Sequence, residues 1–224
     1  MKYPVNEVFQ TIQGEGVHAG VPAIFVRLQG CPVGCAWCDT KHTWDVEPDD
    51  EVAHDVIFTK KLDSPQFSRL DAEQLISLFN EQQYAARHVV ITGGEPCMYD
   101  LTALTTQLIE QGYSVQIETS GTFAVQVAEQ SWVTVSPKIA MKGGMPVLAE
   151  AMHRADEIKH PVARQQDVDN LDELLAQVEL SDSDVFICLQ PISQKARATR
   201  LCMDTCIARN WRLSVQTHKY IGIA

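Results

Sequence analysis

Short runs rich in β-branched and aromatic residues alternate along this chain with stretches whose apolar residues recur three and four apart, and no other feature constrains the fold as strongly. Residues 21–28, 88–92, 114–118, 132–135, 156–159, 185–190 and 213–216 read as strands. Between them, Leu70, Leu75, Leu78 and Phe79 mark one helix, Leu101, Leu104, Leu108 and Ile109 a second, and Leu171, Leu174, Leu175 and Val178 a third; a fourth spans about 193–210. This alternation predicts an α/β fold with a mainly parallel sheet. About six or seven candidate strands are too few to close a regular eight-stranded barrel, so an incomplete, partial TIM-like (β/α) barrel is expected.

The rhythm breaks once, between residues 44 and 69. Asp45, Glu47, Asp49, Asp50, Glu51 and Asp55 come first, then Lys60, Lys61, Asp63, Ser64 and Pro65, a pattern expected of a partly mobile insertion in a single domain covering 1–224. Against 29 acidic residues the chain has 18 basic ones, and its net charge of −11 is relieved by no Lys/Arg cluster. Long nucleic acids and anionic membranes are therefore poor partners, and a small substrate is the better expectation. Neither a basic leader followed by an apolar stretch nor a membrane-length apolar run occurs, which predicts a cytoplasmic protein. The seven cysteines, an odd number, fit a reducing compartment in which thiols serve as ligands or core residues.

Polar groups stand where the apolar runs end. Arg27 with Gln29-Gly30-Cys31, Thr92-Gly93-Gly94-Glu95-Pro96, Glu118-Thr119-Ser120-Gly121, Ser136-Pro137-Lys138, Lys159-His160-Pro161, Gln190-Pro191 and Gln216-Thr217-His218 all occupy such positions. In a parallel sheet these ends share one rim, where α/β barrels build their sites.

Three cysteines fall within one short segment, Gly30-Cys31-Pro32-Val33-Gly34-Cys35-Ala36-Trp37-Cys38, in a C-x3-C-x2-C spacing. Such a loop can present three thiolates to one metal centre, with Gly30, Pro32 and Gly34 letting the backbone wrap it. A zinc knot would want a fourth ligand, for which Asp39 or His42 is at hand. An iron–sulfur cube held by three cysteines would instead leave one iron open for a non-protein ligand. Cys97, Cys188, Cys202 and Cys206 lie in or beside apolar segments and read as core thiols.

The spacing, with an aromatic residue before the last cysteine, resembles the radical S-adenosylmethionine (SAM) superfamily. With Asn6-Glu7-Val8-Phe9-Gln10-Thr11-Ile12-Gln13-Gly14-Glu15-Gly16, Arg27-Leu28-Gln29-Gly30-Cys31, Cys38-Asp39-Thr40 and the strand-end motifs above, the chain resembles the 7-carboxy-7-deazaguanine synthase family over essentially its whole length outside 44–69. That resemblance implies a [4Fe-4S] cluster on Cys31, Cys35 and Cys38 in an amino-terminal loop, whose open iron chelates SAM. It also implies a magnesium-dependent ring contraction of 6-carboxy-5,6,7,8-tetrahydropterin, with loss of ammonia, on the route to queuosine-type deazapurines. An adenosyl radical would take the C6 hydrogen and SAM would be regenerated.

Site roles follow from the same resemblance. Thr40 would hold magnesium; Trp37, Cys38 and Asp39 would surround SAM, Gly94 would meet its methionine part, and Ser136, Pro137 and Lys138 its ribose side. Glu95 is a charge partner for the methionine amino group. Ile12, Gln13, Gly14, Glu15 and Thr92 suit the donor and carbonyl edge of a pterin, and Arg27 its carboxylate. Glu118 and His218 fall on the substrate side, and Gln190 is a further SAM contact. Read without the resemblance, Thr40 can cap a turn, Glu15 can be a turn residue and Arg27 a snorkelling surface group. A homodimer and an electron donor such as flavodoxin are further family expectations. A glycyl-radical activase would also need the three-cysteine loop but not the 13–16 loop and Arg27. An electron-transfer module or a zinc adaptor would leave 92–96 and 136–138 without a task.

Overall fold

The fold, taken from a computed structural model, is described for residues 1–60, 63–180, 185–192 and 195–222. Nine strands form one sheet among these residues: β1 (Tyr3–Ile12), β2 (Pro22–Leu28), β3 (Ser68–Leu70), β4 (His88–Gly93), β5 (Ser114–Thr119), β6 (Trp132–Val135), β7 (Glu157–Val162), β8 (Phe186–Pro191) and β9 (Arg212–Leu213). Their order is β3-β1-β2-β4-β5-β6-β7-β8-β9. From β2 through β9 the neighbours are parallel, while β1 runs antiparallel to both β2 and β3. The sheet is an open partial barrel, as the strand rhythm predicts.

Strand parity gives the two faces different chemistry. On the outer face, Ile24, Val26, Val89, Ile91, Val115 and Ile117 pack with α1 (Ala72–Glu81) and α2 (Thr102–Glu110) into one apolar cluster. Val133, Val135, Ile158, Val162 and Leu189 build a second one, covered by α3 (Ala149–His153), α4 (Gln165–Gln177) and α5 (Ala196–Arg209). The inner face is polar. Gln13 Nε2 donates to Gln116 Oε1 at 3.3 Å, His88 bonds Ser114 and Gln116, and the His18 ring lies 4.7 Å from those of His88 and Trp132. Gln13 and His18 come from the β1–β2 connection, which folds back onto this face and packs there against groups of β4, β5 and β6.

That connection also bridges the open side. Thr217 N donates to Gly14 O at 2.9 Å, Gly16 N to Ser214 Oγ at 2.9 Å and Val17 N to Glu157 Oε2 at 3.0 Å. Residues following β9 and the short α6 (Thr217–Ile221) are thus tied to the loop after β1.

Several elements differ from expectation. β1 is absent from the sequence reading because Asn6 and Glu7 interrupt its apolar pattern; the pairing shifts register between Val5 and Glu7, and Asn6 is fully buried there. Its Nδ2 donates to Gln29 Oε1 and to the carbonyls of Ser64 and Gln66. The 44–69 segment is thereby stitched to the sheet, with Ile57 and Phe67 buried and β3 beginning at its end. Leu70, expected in the first helix, belongs to β3, since Asp71 and Gln74 form a capping box that starts α1 after it. The last strand is shorter than 213–216, because Ser214 turns its hydroxyl to Gly16 and Gln190 and α6 begins at Thr217. The helix expected from about 193 is α5; residues 193 and 194 lie outside the described residues, as do 61 and 62 of the acidic segment. Among the described residues, no helix is long and apolar enough to cross a membrane.

Candidate active site

The loop after β2 carries Cys31, Cys35 and Cys38 and is held on three sides by backbone hydrogen bonds. Gly30 N and Cys31 N donate to Thr43 O and Trp44 O, Glu95 N to Gly30 O, and Gly143 N to Val33 O, at 2.7 to 3.0 Å. Gly94 approaches this loop closely: a Cβ there would stand 2.2 Å from Gly30 O and 3.0 Å from the Cys31 Cβ. Only glycine lets the β4 end pass so close to the cysteine loop. All three thiols line one cavity of about 350 Å³ at the carboxyl rim of the sheet. No three His, Cys, Asp or Glu side chains among the described residues converge on a point suited to a single metal ion. Three thiols that open into one cavity can hold a multi-iron cluster, in which each iron takes one thiolate. Burial pushes the Cys31 thiol up to about 11, so a metal bound there would have to displace its proton.

Around the thiols stand most of the residues expected for SAM. Trp37, Asp39, Gly94, Ser136 and Lys138 line the same cavity, with the Lys138 ammonium 4.8 Å from the Trp37 ring centroid and donating to Ser136 Oγ at 2.6 Å. Pro137 is buried between them and does not reach the cavity. Thr40 lines it too; its hydroxyl lies 3.6 Å from Cys38 Sγ and makes no cap to the turn that follows. Glu95 lines the cavity too and is also a structural tie. Its carboxylate accepts from Thr119 Oγ1 at 2.6 Å, Ser120 N at 2.7 Å and Cys97 N at 3.0 Å, so it ties the β4 and β5 ends together.

Opposite the cysteine loop the cavity is floored by charge. Arg27 Nε donates to Glu7 Oε1, while its two terminal nitrogens have no partner among the described residues and the side chain lines the cavity beside Thr92. Lys159 donates to Glu118 at 2.7 and 2.9 Å and lies 2.8 Å from Glu15, which also accepts from Gln216 Nε2 at 2.8 Å. Gln190 lies on the same floor, its Nε2 3.5 Å from Glu15. Ile12, Gln13 and Gly14 stand behind this floor: Ile12 pairs with Pro22, Gln13 bonds Gln116 and the Glu15 amide, and the Gly14 carbonyl accepts from Thr217. His218 packs on Gly14 and does not line the cavity. Lys159 and Glu7 were not singled out as site residues, although Lys159 already stood among the strand-end groups.

The radical SAM superfamily model matches residues 25–137. The 7-carboxy-7-deazaguanine synthase of Escherichia coli K12 is 59% identical over 224 residues, all of both chains, and that of Buchnera aphidicola from Schizaphis graminum is 45% identical over 223 residues, again all of both. The crystal structure of QueE from Escherichia coli superposes with a TM-score of 0.93 at 59% identity, covering 96% of this chain and 94% of that one.

Proposed function

Since the chain belongs to the 7-carboxy-7-deazaguanine synthase family of the radical SAM superfamily, we propose that it converts 6-carboxy-5,6,7,8-tetrahydropterin to 7-carboxy-7-deazaguanine with release of ammonia, in the supply of queuosine-type deazapurines. The observation that carries this reading is that Arg27 and the three-thiol loop open into one cavity. Cys31, Cys35 and Cys38 would hold the cluster, and Trp37, Asp39, Gly94, Ser136 and Lys138 would surround SAM, with Pro137 buried behind Ser136 and Lys138. When bound, cluster and SAM together supply a 5′-deoxyadenosyl radical, chemistry that no side chain provides. The chain's own residues place the substrate. The free guanidinium nitrogens of Arg27 suit its carboxylate, while Glu15, Thr92 and the 12–14 backbone suit the pterin edge. Thr40, with its hydroxyl unused as a cap, is an oxygen that can join a magnesium ion's shell with water and substrate.

The remaining parts of the reading rest on the family: a dimer of this chain, a small redox protein such as flavodoxin as reductant, the cytoplasm as compartment, and one functional unit carrying the 44–69 segment as an insertion. Anaerobic reconstitution, reduction, and incubation with SAM, magnesium and the tetrahydropterin tests the main proposal by mass spectrometry. The deazaguanine product and one [4Fe-4S] cluster per chain are expected. An intact, reducible cluster that yields no product would overturn it, and zinc as the only stoichiometric metal would overturn the cluster assignment.

A further inference from the structure

Beneath the cavity the Lys159 ammonium joins two carboxylates that come from distant parts of the chain. Glu15 rides on the β1–β2 connection, Glu118 on β5 and Lys159 on β7. The lysine side chain is 7% exposed and spends its three donors on both oxygens of Glu118 and one of Glu15. Gln216 holds Glu15 from one side and Gln116 holds Glu118 from another, yet both carboxylates still line the cavity with acceptor capacity left over.

We propose that Lys159 is a positioning residue for the reaction: its ammonium keeps Glu15 and Glu118 side by side, so that Glu15 accepts the donor edge of a bound 2-amino-4-oxo heterocycle while Glu118 exchanges a proton with it. This rests on the pterin reading above. Burial acts to raise both acids. For Glu15 the Lys159 charge, together with hydrogen bonds from Lys159 and Gln216, outweighs it and brings the carboxyl down to about 2. For Glu118 burial prevails over Lys159, with Glu15 and Glu157 adding like charge, and the carboxyl stands at about 7. His218 of α6 also acts to lower Glu15, Lys138 after β6 faces both carboxylates, and Arg27 of β2 and Lys219 of α6 line the same cavity. Expelling ammonia requires one proton taken from ring carbon and one delivered to nitrogen as the C–N bond breaks and its electron pair leaves with the nitrogen. A single exchangeable carboxyl can accept the first and return it for the second, with no net change in protons or electrons.

The test uses SAM-loaded, cluster-bearing protein and 6-carboxypterin, the oxidised heterocycle with no C6 hydrogen to lose, its binding followed against pH. In Lys159→Met, affinity should fall by about 10-fold at neutral pH and the ionisation governing it should move up by about one pH unit or more, because a carboxyl deprived of its cation holds its proton longer. SAM affinity should stay within about two-fold, and Lys159→Arg should restore the wild-type profile. An unmoved ionisation, or pterin and SAM affinities falling together, would overturn the proposal. Glu118→Gln, with Lys159 intact, should abolish that ionisation, and its persistence would also overturn it. Failure of the substrate reading looks different: wild-type protein would then neither bind 6-carboxypterin nor convert the tetrahydropterin.

Discussion

Arg27 shows how one side chain divides its work. Its Nε is committed to Glu7 on the neighbouring strand, which fixes the guanidinium plane and leaves the terminal nitrogens for an anion. Hydrogen bonds to charged groups contribute about 1.5–3 kcal/mol, so Arg27→Ala is expected to lower kcat/KM for the tetrahydropterin by roughly 10- to 100-fold. SAM affinity, measured by equilibrium binding to the reconstituted protein, should hardly change; equal loss of both would refute the carboxylate role. The cysteines, Arg27 and Thr92 were legible as sequence because each stands at a strand end or in a dense motif. Glu7 and Lys159 were less so, since their roles depend on partners 20 residues away for Glu7 and 41 and more for Lys159.

At the scale of an element, β7 serves both faces of the sheet. Lys159 points to the cavity while its neighbour His160 packs on the outer side, its Nε2 donating to Asp167 O at 2.9 Å in α4. Burial holds His160 down at about 4 against an ordinary 6.5. The folded chain therefore keeps this ring neutral where the unfolded chain would protonate it. Its contribution to stability is complete above pH 6.5 and is lost as pH falls toward 4. Thermal unfolding followed across that window should show a shallower decline for His160→Gln, which keeps a donor but does not titrate; parallel curves would exonerate His160. The strands of the parallel run were readable from their β-branched pattern. β1 was not, because a buried asparagine at a register shift looks polar in sequence, and the partners of its amide nitrogen, Gln29 and the carbonyls of Ser64 and Gln66, lie far along the chain.

For the whole molecule, the open side of the barrel is the point at which the amino- and carboxyl-terminal parts meet. Gly14 permits the contact, for a Cβ there would lie 2.3 Å from His218 Nδ1 and 3.1 Å from the His218 Cβ. Gly14→Ala is expected to push α6 from the β1–β2 connection, loosening the Gln216 contact to Glu15 and weakening pterin binding while sparing SAM. Titrating both ligands would check this, and an undiminished pterin affinity would show that α6 does not support the floor.

The residue pattern alone determined the alternation that dictates a parallel sheet, the three-thiol loop, and the rim on which strand-end groups gather, because period, spacing and order are local properties of a chain. Tertiary structure decided the rest: that Glu15, Glu118 and Lys159 form one charged floor, that Glu95 ties the β4 and β5 ends together, and that β1 with its buried Asn6 pairs in the sheet. Each depends on which distant group faces a buried charge or amide, and burial makes such a pairing decisive while leaving no mark on the local sequence.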